Sequence, residues 1–90
     1  MKSTQEIKHE LKKQIIQELN LEDITPEDIQ DDAPLFGTGL GLDSIDALEL
    51  VVIMEKYHGV KISSESIGKE VLFSINTMAA YIEKETKNNK

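Results

Sequence analysis

The chain has no cysteine, so a disulfide framework and a thiolate metal site are both excluded. No apolar run approaches the roughly 18 residues that span a bilayer. The N-terminal stretch Met1-Lys2-Ser3-Thr4-Gln5-Glu6 leads straight into a charged helical pattern and lacks the apolar core of a signal peptide. The expected compartment is the cytoplasm, without membrane insertion. Between Gln14 and Glu55 there is no Lys or Arg at all. That stretch holds a series of acids, and the chain's net charge is -7. Such a field repels phosphate backbones and argues against nucleic-acid binding. It steers basic protein surfaces toward the middle of the chain. A merely solubilising surface has the same composition, so charge alone does not decide function.

Ninety residues make one domain, read as 1–90 with an ordered core over about 4–84 and a frayed tail over 85–90. No strand-like alternation and no internal repeat stands out, and the pattern is all-α. A first helix is expected from Thr4 to Leu19. Ser3 and Glu6 stand in capping-box spacing, and Ile7, Leu11, Ile15 and Leu19 recur every four residues. Residues 20–42 read as a long loop, with a single turn at Thr25-Pro26-Glu27-Asp28. Leu21, Ile24, Ile29, Leu35 and Phe36 are expected to pin it to the core. The run Gly37-Thr38-Gly39-Leu40-Gly41 reads as flexible or tightly turning. Asp31-Asp32 reads as a solvated turn, because the loop lacks the ligand alternation of a calcium hand.

A second helix is expected from Ser44 to Tyr57 or His58, capped by Asp43 and stopped by Gly59. A short helix is expected near Ser64–Ile67. A last one follows Ser74, with Ile75, Met78, Ala79 and Ile82 on one side. The result is a small bundle of three main helices and one short one. The second helix carries two apolar stripes. Ala47, Leu50, Val51 and Met54 form one, and Ile45, Leu48 and Val52 lie roughly opposite. One stripe suffices for a core. The other is either buried on the far side or left as an exposed docking patch, with Glu49 and Glu55 at its edges.

The segment Gly41-Leu42-Asp43-Ser44-Ile45-Asp46-Ala47-Leu48-Glu49-Leu50 closely resembles the phosphopantetheine attachment signature of acyl carrier proteins. The resemblance extends over nearly the whole chain, through the first-helix pattern, Phe36 in the loop and the ending Ser74-Ile75-Asn76 to Tyr81-Ile82. It implies an acyl-carrier-like fold and a carrier without catalytic activity of its own. Ser44 would take a 4'-phosphopantetheine arm from coenzyme A, and acyl groups would ride as thioesters on its terminal thiol. Asp43 would help position the transferase and its Mg²⁺, which belongs only to that transient complex, so no resident metal is expected. Ile45, Asp46, Leu48, Glu49, Val52 and Glu55 would contact partners. Those partners would be a phosphopantetheinyl transferase and basic-surfaced enzymes: acyltransferases, ketosynthases, reductases, dehydratases or acyl ligases. They belong to fatty-acid or specialised lipid and polyketide synthesis, with the chain a monomer. Leu50, Met54, Ile62 and Ile75 are candidates for lining an acyl chain, and a core role explains them equally well.

Lys56 and Lys61 depart from the family's acidic habit and weaken the negative field at the far end of the second helix. His58 stands where an apolar aromatic is common, with Tyr57 beside it to pack instead. Three alternatives remain: a carrier of aminoacyl or peptidyl groups, a D-alanyl carrier, and an interaction module without an arm. The Asp43-Ser44-Ile45-Asp46 run favours acyl cargo. A serine hydrolase fails, because there is no Gly-x-Ser-x-Gly elbow and His9 and His58 have no obvious orienting acid.

Overall fold

Helix α1, Thr4–Glu18, opens on a reciprocal cap: Glu6 N donates to Ser3 Oγ (3.2 Å) and Ser3 N donates to Glu6 Oε1 (3.1 Å). In this computed structural model the described residues are 3–36 and 41–88. The Gly-rich run at 37–40 lies outside them. Ile7, Leu11 and Ile15 are buried, as their four-residue spacing predicts, and Leu19 follows as the C-cap. Asn20 adopts a positive φ of 54°, which turns the chain out of the helix.

The loop beyond is short of regular structure but well anchored. A 3₁₀ turn at Pro26–Asp28 is held by the Thr25–Asp28 cap. Ile29 and Leu35 are buried, while Leu21, Ile24 and Phe36 pack against the core from its edge. Asp31 corrects the sequence reading. It is not a solvated turn but a clamp: its carboxylate lies 2.6 Å from Lys12 Nζ and 3.7 Å from Lys8 Nζ. Its carbonyl accepts from Asn76 N (2.9 Å), which joins α1, the loop and the start of the last helix.

Helix α2 spans Ser44–His58. Gly59 ends it with φ 67°, and Val60 N–H closes back on the Met54 carbonyl at 3.0 Å. Helix α3, Glu65–Val71, is capped by Ser64 and runs past Gly68, longer than the turn expected at Ser64–Ile67. Helix α4, Ile75–Asn88, starts behind Ser74, whose Oγ accepts from Thr77 N (3.2 Å). It stays helical through Asn88, beyond Lys84 where the charged tail begins.

Helix α1 packs on α4 and α2, and α3 packs on α4. Ile75, Met78, Ala79 and Ile82 meet Leu11, Ile15, Leu50 and Met54 in a single core. Ile53 joins them, fully buried, and widens the core face of α2 beyond the stripe read from periodicity. The architecture is a small all-α bundle, with no strands among the described residues.

Candidate functional site

The Ser44 end of α2 is fixed by backbone and capping contacts on either side of it. Gly41 takes φ 79°, a left-handed conformation that favours glycine. Leu42 is buried, and its N–H donates to the Leu35 carbonyl (3.1 Å). Leu35 N–H in turn donates to the Phe73 carbonyl (2.8 Å), so this segment is tied to the turn between α3 and α4. Asp43 is the N-cap: its Oδ1 accepts from Ile45 N (3.0 Å) and Asp46 N (3.1 Å). Asp46 Oδ2 completes the box by accepting from Asp43 N at 3.0 Å. Ser44 is therefore the first residue of a doubly capped helix. Its side chain lies outside the described residues.

The two stripes of α2 separate cleanly. Leu50 and Met54 go into the core, with Ala47 and Val51 half-buried beside them. Ile45, Leu48 and Val52 stay out, at 71%, 67% and 47% exposure. One face of α2 therefore presents a row of exposed apolar side chains. Asp43 and Glu55 are exposed and Glu49 is half-buried. Asp46 lies about 100° round the helix from Ile45 and is engaged in the cap, so it sits at the margin of that face.

A groove of about 850 Å³ begins at Asp43 and runs between α2 and α3. Phe36, Leu42, Ala47, Leu48, Val51, Ile62 and Leu72 supply its apolar walls. Ser63, Ser64, Gly68 and Lys69 form the α3 side. Of the four residues considered from sequence as chain-lining, only Ile62 borders the groove. Leu50, Met54 and Ile75 are fully buried core. The groove draws on four separated segments, and no local pattern announces it.

At the other end of α2, the Tyr57 hydroxyl donates to Glu18 Oε2 (2.7 Å). This carboxylate holds the phenol above its ordinary value. Tyr57 is half-buried against the core, as expected. His58 Nε2 lies 2.9 Å from Gln14 Oε1, and His9 is exposed on α1. Neither imidazole lies near Ser44 in the chain, and α2 puts His58 at its opposite end from Ser44. Among the described residues no three His, Cys, Asp or Glu side chains converge as a metal site. None of the described helices is long and apolar enough to cross a membrane.

The chain matches the phosphopantetheine attachment site family over residues 7–82. It belongs to that family and is an acyl-carrier-like carrier domain. No curated protein matches it. Members carry covalently attached phosphopantetheine, are generally not catalysts themselves, and work with phosphopantetheinyl transferases and partner enzymes. The residues here fit that group. A serine opens a helix beside an exposed carboxylate, and an adjoining groove that begins at Asp43 is largely apolar.

Proposed function

We propose that the protein is an acyl carrier whose phosphopantetheine arm is joined to Ser44. The observation that carries this reading is the position of Ser44: the first residue of α2, held behind the Asp43–Asp46 box, at the end of an exposed apolar row. When attached, the arm supplies a thiol on a long tether, on which acyl groups travel as thioesters. The chain's own residues position and present it.

The Asp43–Asp46 box fixes the backbone at Ser44, so the helix start reaches a transferase already formed. That is a gain in positioning rather than in reactivity. Asp43 keeps an exposed carboxylate one residue away, and in the transferase complex it helps place the Mg²⁺ that accompanies coenzyme A. The Ser44 oxygen would form a new bond to the pantetheine-side phosphorus of coenzyme A as the diphosphate P–O bond breaks, adenosine 3',5'-bisphosphate leaves, and the hydroxyl proton passes to a base of the transferase or to water, which leaves the arm on Ser44 as a phosphodiester. Partner enzymes then dock on Ile45, Leu48 and Val52, with Glu49 and Glu55 meeting basic groups at the edges. These partners are acyltransferases, ketosynthases, reductases, dehydratases or acyl ligases of fatty-acid or specialised lipid and polyketide synthesis.

The Asp43-Ser44-Ile45-Asp46 run and the largely apolar groove support acyl over aminoacyl cargo. The test is intact mass after incubation of the full chain with coenzyme A, Mg²⁺ and a phosphopantetheinyl transferase. One arm is gained by the wild type and none by Ser44→Ala. Competition among acyl and aminoacyl ligases for the loaded chain then reads out the cargo.

A further inference from the structure

The apolar row on α2 does not end in a carboxylate. Residues 44, 48, 52 and 56 stand one turn apart, so Lys56 follows Leu48 and Val52 on the same face. Its side chain is 57% exposed, yet it is held in place. The ammonium lies 5.1 Å from the centre of the Tyr57 ring and 3.7 Å from Glu18 Oε2. Across the groove from Leu48 and Val51, the exposed Lys69 of α3 forms part of the opposite wall. The first two turns are the reverse. Asp43, Asp46 and Glu49 stand there, in a stretch of sequence without any basic residue. At the far end Lys56 offsets one of the two carboxylates, Glu55 and Glu18, so that end is less acidic than the Ser44 end.

Asp46 and Lys56 are ten residues apart, about 15 Å along the helix. That exceeds the screening length of about 8 Å at physiological salt. A docking enzyme therefore senses the two ends separately.

We propose that Lys56 and Lys69 are specificity determinants of this face. They favour a partner enzyme whose docking surface is basic opposite the Asp43 end of α2 and carries no basic groups opposite Lys56 or across the groove at Lys69. They turn away an enzyme that is basic along the whole contact. The inference rests on the carrier reading above. Like-charge juxtaposition at an interface is a recognised route to selectivity, and rim charges act mainly on encounter rate and its salt dependence.

The probe is a phosphopantetheinyl transferase with a uniformly basic docking face, acting on the full apo chain with coenzyme A at low salt. Lys56→Glu/Lys69→Glu raises kcat/KM about fivefold, through KM, and the rise disappears at high salt. Lys56→Gln/Lys69→Gln gives a smaller rise in the same direction. Lys56→Glu introduces a carboxylate beside Glu18 and can unsettle the bundle. Lys69→Glu alone, on the exposed side of α3, then decides the matter by showing a salt-sensitive rise. A folded variant set with kcat/KM unchanged or lowered overturns the proposal. A wild-type chain that takes up no arm from any transferase fells the carrier reading, and this inference with it. The two failures are told apart by the wild-type reaction.

Discussion

Asp43 and Asp46 cap each other across the first turn of α2: Asp43 Oδ1 accepts from the Asp46 amide at 3.1 Å, and Asp46 Oδ2 accepts from the Asp43 amide at 3.0 Å. The residue between them that opens the helix is Ser44. Two like charges are brought together at the positive end of a helix, where the macrodipole favours both. The same pair that starts the helix also fixes the backbone at the proposed attachment point.

Structure and chemistry can be separated at Asp43. Asn caps a helix about as well as Asp, so Asp43→Asn is expected to unfold within a few tenths of a kcal/mol of wild type, whereas Asp43→Ala loses about 1 kcal/mol. Both are expected to slow arm transfer, Asp43→Asn by about tenfold through loss of the charge alone. Urea denaturation beside transferase kinetics checks this. An Asp43→Asn chain loaded at the wild-type rate removes the carboxylate from the chemistry and leaves it as a cap only.

The exposed row makes a similar separation possible. Leu48 contributes little to the core at 67% exposure, so Leu48→Glu is expected to change stability by no more than about 0.5 kcal/mol. Partner turnover is expected to fall about tenfold or more, because a charge replaces a central apolar anchor. Thermal melts and the KM for the loaded chain in an acyl-transfer assay measure the two effects. Destabilisation by several kcal/mol with normal turnover contradicts the docking assignment.

Much of this was legible in the sequence because it depends on local chemistry. The capping spacing of Ser3 with Glu6, Gly59 after α2, and the four-residue rhythm of Ile7, Leu11 and Ile15 each act within a turn or two of chain. Three features were not legible in this way. Asp31 pairs with Lys8 and Lys12 of α1, some twenty residues earlier in sequence, so its clamp is a property of packing. Ile53 falls between the two stripes of α2, yet it is fully buried in the shared core, which periodicity within one helix does not reveal. The groove assembles Phe36, Ile62 and Leu72 from separate elements. The exposure of Ile45, Leu48 and Val52 was an open choice in the sequence, since periodicity shows two stripes without saying which one is covered.

The Asp31 clamp gives a pH dependence of known sign. Its carboxyl is held below the ordinary 3.8, chiefly by the hydrogen-bonding Lys12 ammonium and against opposing desolvation, with Lys8 assisting. A depressed folded-state value contributes stability above the unfolded-state value, and this is lost as pH falls through the folded-state value. Asp31→Asn is therefore expected to be less stable than wild type at about pH 7, by under about 1 kcal/mol for a pair that is still partly solvated. The difference is expected to shrink once the pH falls well below about 4. Urea melts at neutral and acid pH decide it. A gap that is constant across that range shows that the contribution does not come from the Asp31 charge.

The central claim is that the Ser44 oxygen is the tether point, and mass spectrometry of the intact chain tests it most directly. After incubation with coenzyme A, Mg²⁺ and a phosphopantetheinyl transferase, the wild type is predicted to gain one phosphopantetheine, located at Ser44 by fragmentation, while a folded Ser44→Ala chain gains none. An arm found on another residue, or no gain by the folded wild type with any transferase, contradicts the account.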